Sequence, residues 1–330
     1  MKYRRLGKSG IMASEIGFGA WAIALDWWGG NKISDEDALK MLKRAFDLGI
    51  NFFETADVYG KGRSEKLIGE AFKDMNRDEI IYSTKWGYDI YNATQIGHNE
   101  LPQKHDPYFM KYALEQSMSR LQTDFVDVYS LHNPKINAVR DDSLFDSLDR
   151  IREEGKIGSY GVALGPAIGW KDEGIISMEN RDITCLQSVY NLLEQDPVRD
   201  FFQAAETYDV GLLVRVPDAS GVLTGKVTAD TIFDKNDHRS TRKKQWIADA
   251  LHKVENIRPI ADSHGWTVTE LAIKFILSQN RVTAVLPTVV NLEEIETFAA
   301  MSDGKYLGQS DLEILSQLYN NNFYVTATGG

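Results

Sequence analysis

The sequence predicts an α/β protein: a closed (β/α)8 TIM barrel with an N-terminal β-hairpin, a long loop after strand 7 and an extra C-terminal helix. Two observations carry this. Short runs rich in β-branched and aromatic residues alternate with charged, amphipathic segments along the whole chain. Those runs are almost continuously apolar and end in Gly, Asp, His or Pro, which suits strands buried on both faces of a parallel sheet. Eight alternating units favour closure over an open sheet. An open doubly wound sheet would carry a Gly-rich fingerprint after its first strand. Gly17-Phe18-Gly19 has only two of those glycines, and no acidic residue follows at the right distance. The 330 residues are read as one domain, 1–330, since α/β barrels of this length fold as a unit.

Residues 1–13 read as a hairpin turning at Lys8-Ser9-Gly10. The strands fall at 14–21, 50–55, 80–86, 126–132, 158–164, 184–191, 211–216 and 282–287. Ser34 opens the first helix with a capping-type signal, and Ala38, Met41, Leu42, Ala45 and Phe46 follow at helical spacing. Further helices are expected at 64–72, 107–121, 143–152, 198–208, 267–278 and 292–300. Residues 217–266 form the long insertion, with a helix over 242–254, and 310–319 is the extra C-terminal helix.

The net charge of -11 gives no footprint for nucleic acid or for an anionic membrane. Arg239, Arg242, Lys243 and Lys244 stand beside Asp234 and Asp237 and read as a solvated loop. The lone Cys185 lies in an apolar run, reads as a buried thiol, and excludes an internal disulfide or a Cys-based metal site. No signal segment or membrane-spanning run is apparent, so a cytoplasmic protein is expected. The oligomeric state is not legible.

The strand ends of such a barrel face the active site. Strand 2 ends in Glu54-Thr55-Ala56-Asp57-Val58-Tyr59-Gly60, strand 3 in Thr84-Lys85-Trp86, strand 4 in His132-Asn133-Pro134, and strand 6 in Gln187-Ser188-Val189-Tyr190-Asn191. Each residue alone has an ordinary structural explanation: a surface lysine, a core histidine, a packed tyrosine, a loop carboxylate. Together they have a chemical use. A lysine cation stabilises a nearby phenolate, a carboxylate keeps the lysine charged, and a neutral imidazole orients a carbonyl. His132 is the only strand-end histidine, so no metal site is expected.

These stretches resemble the aldo-keto reductases over nearly the whole chain. The resemblance extends to Arg5-Leu6-Gly7-Lys8-Ser9-Gly10, Gly17-Phe18-Gly19-Ala20-Trp21, Val126-Asp127-Val128-Tyr129-Ser130-Leu131-His132 and Ser220-Gly221-Val222-Leu223-Thr224-Gly225-Lys226. It implies reversible hydride transfer between NADP, or alternatively NAD, and a small-molecule carbonyl or alcohol. Tyr59 would be the general acid/base, Lys85 its tuning group, His132 the carbonyl-positioning residue, and Glu54 the carboxylate partner of Lys85. Gly19, Ala20, Trp21, Gln187, Arg215, Gly221, Leu223, Gly225, Lys226, Pro287, Thr288 and Glu294 would hold the cofactor. Trp27, Trp28 and Trp86 would form an aromatic substrate wall.

Four features depart from the family pattern. Glu54 stands where an aspartate is usual, with Asp57 as a substitute partner for Lys85 to be weighed against it. Ala163-Leu164 replaces the usual Ser-Asn that holds the nicotinamide carboxamide. Arg215 replaces a stacking aromatic. The stretch from Pro287 to Glu294 has no Lys or Arg for a 2′-phosphate. These departures support a competing reading, a cofactor-binding regulatory or scaffold protein with weak turnover.

Overall fold

The computed structural model describes residues 1–28, 32–94, 99–165 and 169–325. Strands β1 (Tyr3–Arg5) and β2 (Met12–Ser14) form the antiparallel hairpin. Its turn is a single 3-10 turn, Gly7–Ser9, closed by Gly10 in the left-handed conformation. Eight parallel strands follow in sequential order: β3 (Phe18–Gly19), β4 (Phe52–Glu54), β5 (Ile81–Trp86), β6 (Val126–His132), β7 (Ile157–Ala163), β8 (Cys185–Val189), β9 (Gly211–Arg215) and β10 (Val282–Leu286). Parallel bridges Ile16↔Val285 and Gly19↔Thr288 close the ring. Gly17 permits that closure, because a Cβ there would stand 2.7 Å from Leu286 Cδ2 and 3.0 Å from Phe52 Cδ1.

The helices are α1 (Asp35–Asp47), α2 (Arg63–Phe72), α3 (Pro107–Leu121), α4 (Ile136–Val139), α5 (Asp142–Glu153), α6 (Lys171–Asn180), α7 (Val198–Thr207), α8 (Lys244–Ser263), α9 (Val268–Leu277), α10 (Leu292–Ala300) and α11 (Gln309–Asn320). Side-chain caps set several starts. Ser34 accepts from Asp37 N, Asp106 from Phe109 N, and Thr267 with Glu270 forms a capping box. The insertion after β9 is carried by α8, which runs beyond residue 254 and through Pro259.

Three elements differ from expectation: the first barrel strand is shorter, and helices α4 and α6 are not among those the sequence predicts. The first barrel strand keeps only two paired residues, because Met12–Ser14 is taken by the hairpin and a turn begins at Ala20. α4 and α6 carry no clear apolar stripe. The buried positions of α6 are Gly174, Ser177 and Met178. Small residues are used there because a Cβ at Gly174 would meet the Phe201 ring at 2.5 Å, so a close helix contact replaces a hydrophobic face.

One core lies between the sheet and its helices. A second lies inside the barrel floor, where Leu6 and Ala13 of the hairpin pack on Phe52, Val128, Cys185 and Leu213. Cys185 is thus a structural thiol, its pKa pushed up to about 12 by burial. Among the described residues no helix is long and apolar enough to cross a membrane.

Candidate active site

The C-terminal strand ends open into a cavity of about 630 Å³. Glu54 and Lys85 sit at the ends of β4 and β5, Tyr59 follows β4 in a tight turn, and His132 ends β6. Lys85 Nζ donates to Glu54 Oε1 and, at 2.5 Å, to the Thr55 carbonyl. It lies 4.9 Å from the Tyr59 ring centre. The Tyr59 and His132 rings meet edge to face at 5.8 Å. Glu54, Tyr59 and His132 line the cavity, and the buried ammonium of Lys85 lies behind them. Asp57 does not pair with Lys85. Its buried carboxylate has no hydrogen-bond partner, and burial together with the nearby Glu65 charge pushes its pKa well up.

Electrostatics correct one inference from sequence. Lysine beside a phenol suggests a lowered tyrosine pKa. In the folded site burial, and then the Glu54 carboxylate, push Tyr59 well above its usual value. The longer arm of Glu54 meets the Lys85 ammonium directly. Burial also pulls Lys85 down, against the raising influence of Glu54. His132 is pushed well below the ordinary histidine range by burial and by the Lys85 and Arg215 cations, so its ring is neutral near pH 7. Its Nδ1 is buried without a partner.

Gly19, Trp21, Trp27, Trp28, Gln187, Arg215, Pro287 and Thr288 also line the cavity. Trp21 meets Trp27 and Trp28 edge-on at 6.4 and 6.2 Å. Trp86 does not join this wall. Side chains alternate along β5, so with Lys85 inward Trp86 points out, fully buried and stacked on Tyr129 at 5.9 Å. Ala20, Gly221, Leu223, Gly225, Lys226 and Glu294 lie outside the cavity lining. Ala20 and Leu223 are fully buried. Lys226 pairs with Glu294 at 2.7 Å, and Glu294 also accepts from Val290 N at 3.0 Å.

The insertion folds back over the opening. His238 N donates to the Trp27 carbonyl at 2.7 Å, and the Arg239 guanidinium lies 4.3 Å from the Trp28 ring centre. Backbone at Val216, Ala219 and Ser220 has positive φ, an unusual state for a β-branched residue such as Val216, in the turn that begins this insertion. Among the described residues no three His, Cys, Asp or Glu side chains converge on a metal position.

A sequence model of the Aldo/keto reductase family matches residues 15–320. The chain belongs to the aldo/keto reductase family. It is an NAD(P)-dependent oxidoreductase of that type. A probable voltage-gated potassium channel subunit beta from Oryza sativa subsp. japonica is 30% identical over 303 residues, covering 87% of this chain and 86% of that protein. The aldo-keto reductase YhdN of Bacillus subtilis (strain 168) is 29% identical over 84% of this chain and 82% of its own. Among solved structures, the glycerol dehydrogenase AKR11B4 from Gluconobacter oxydans superposes with a TM-score of 0.83 at 23% identity, over 100% of this chain and 99% of that one.

A nicotinamide cofactor fits this aldo-keto reductase at its unpartnered polar atoms. Gln187 Oε1 and Arg215 Nε are buried, lack partners, and belong to side chains that line the cavity. Arg215 Nη2 is held by the Leu164 carbonyl. Several lining residues carry no sequence signal of a site. Tyr88, Glu100 and Arg242 reach the cavity from loops whose course only the folded chain shows. Asn133 Nδ2 donates to Tyr88 Oη at 2.7 Å, and its own Oδ1 has no partner.

Proposed function

We propose that this protein reduces the carbonyl group of a small molecule bound in the cavity, with Tyr59 as the proton donor. One observation carries the reading: a neutral phenol and a neutral imidazole face each other across the cavity floor, with a lysine-carboxylate pair behind. A phenol whose pKa burial raises stays protonated near neutrality, which is the form a reductive general acid requires. His132 positions the carbonyl by a hydrogen bond from its neutral ring. A dihydronicotinamide held by Gln187 and Arg215 would supply the hydride that the carbonyl carbon accepts. As the carbonyl oxygen takes up charge, the Tyr59 O–H bond breaks, its proton passes to that oxygen, and Lys85 stabilises the phenolate left behind. Trp21, Trp27 and Trp28 exclude water from one side.

The cofactor is read as NADP with little preference over NAD. Gln187 and Arg215 would hold the nicotinamide end, with the backbone of Gly19, Pro287 and Thr288. At the other end Lys226 closes the Ser220–Lys226 stretch, but it is already paired with Glu294. Arg239 and Arg242 are paired with Asp237 and Glu194. A 2′-phosphate must compete with these carboxylates. Comparing turnover of Tyr59→Phe with the parent enzyme, with cofactor affinity measured in parallel, tests the assignment; equal turnover would refute it.

The second reading, a cofactor-binding regulatory subunit, draws on the name of the Oryza relative. It requires tight cofactor binding with turnover too slow to account for a metabolic enzyme, which the same two measurements resolve.

A further inference from the structure

Gln187 lies on β8 between two different demands. Its amide has a donor end and an acceptor end. Nε2 donates to Glu54 Oε1 at 3.0 Å, whereas Oε1 is buried, unpartnered, and on a residue that lines the cavity. An ionised carboxylate only accepts, so it fixes which end of the amide turns toward it. The same Glu54 oxygen accepts from Lys85 Nζ. Aspartate at this position would draw the carboxylate back by one carbon–carbon bond, about 1.5 Å. A contact of 3.0 Å would then exceed hydrogen-bonding range, and the Gln187 amide would be free to flip.

The neighbourhood makes this orientation matter. Ala163 pairs in register with Gln187 and, like Leu164, has no polar side chain. The Leu164 carbonyl is taken by Arg215. We propose that Glu54 is a positioning residue that reaches past Lys85 to hold Gln187 with its carbonyl oxygen facing the cavity, so that the site selects a cofactor ring bearing a primary-amide donor. The extra methylene at position 54 thereby compensates for the missing polar side chains at 163 and 164. The proposal rests on the reading of the cavity as the nicotinamide site.

The experiment measures dissociation constants of NADPH and of its reduced 3-acetylpyridine analogue, whose methyl ketone has no donor. One neutral hydrogen bond predicts about a tenfold preference for the amide form in the parent protein. Glu54→Asp should reduce it to about twofold or less on the same scale. Glu54→Gln retains the length and an acceptor, so it should keep most of the preference even where turnover falls. Gln187→Leu should abolish it. An undiminished preference in folded Glu54→Asp overturns the proposal, as does an equal loss in Glu54→Gln, which would assign the effect to charge rather than reach. A parent protein that binds both forms equally, or a Gln187→Leu protein that still discriminates, refutes instead the placement of the carboxamide at Gln187.

Discussion

At the N-terminal end of the barrel a cavity of about 550 Å³ is lined by Arg4, Arg5, Asp209 and Arg281; at the C-terminal end the cavity of about 630 Å³ is lined by Tyr59, His132, Gln187 and Arg215. Size does not tell them apart, but hydrogen bonding does. Arg4 donates to Glu15 at 2.9 Å and to the carbonyls of Leu277, Gln279 and Val282. Arg5 and Arg281 both hold Asp209. Glu15 Oε1 lacks a partner, yet its other oxygen binds Arg4 and Tyr306. At the other end His132 Nδ1, Asn133 Oδ1, Gln187 Oε1 and Arg215 Nε are all buried without partners. A buried polar group left unpaired costs about 1–3 kcal/mol. Such groups gathered around one cavity are the ones the proposed ligand would satisfy, whereas the charged groups of the other end are already paired with one another.

The largest expected effect lies at the C-terminal end. Tyr59→Phe should keep the melting temperature and cofactor affinity while lowering carbonyl reduction about 10²–10⁴-fold. A thermal melt and a steady-state assay check both halves. Arg4→Ala should do the reverse. It takes the cation from the fully buried Glu15 carboxylate, leaving only the Tyr306 hydroxyl on it, and should cost about 3–5 kcal/mol of stability with turnover per folded molecule unchanged. Chemical denaturation measures the loss, and a fall in kcat of the folded fraction would break the contrast between the two ends.

Smaller effects sharpen the comparison within the active end. Lys85→Met leaves Glu54 without its cation beside the phenol, so the Tyr59 pKa should rise further. A reductive acid works while protonated, so the high-pH limb of the rate profile should move to higher pH. An unmoved limb in an active variant would show that Lys85 does not act on Tyr59. The smallest expected difference is between cofactors. A charge-assisted hydrogen bond is worth about 1.5–3 kcal/mol. With Lys226 engaged by Glu294, dissociation constants for NADP and NAD should agree within about tenfold. A thousandfold difference, read by fluorescence titration, would show that the adenosine end is held by other groups.

The chain by itself determined the barrel and the strand ends that carry Glu54, Lys85, His132 and Gln187. Burial on both faces of a parallel sheet writes itself into continuous apolar runs, and caps such as Ser34 and Thr267 act on backbone within three residues. Alternation along β5 already implied that Trp86 faces away from Lys85. α6 left little trace, because close approach of Gly174 to Phe201 needs smallness rather than a hydrophobic stripe. Tertiary structure alone decided which charges meet and which polar atoms stay unpaired. Gln187 and Glu54 are 133 positions apart, and Lys226 and Glu294 are 68 apart. The raised pKa of Tyr59 likewise came from burial and from a carboxylate brought to its side, not from the lysine that the motif places nearby. Periodicity and capping are local, so sequence records them. Contact across a barrel mouth depends on where long loops close, and desolvation depends on everything packed around a group, and neither is written in the spacing of any single motif.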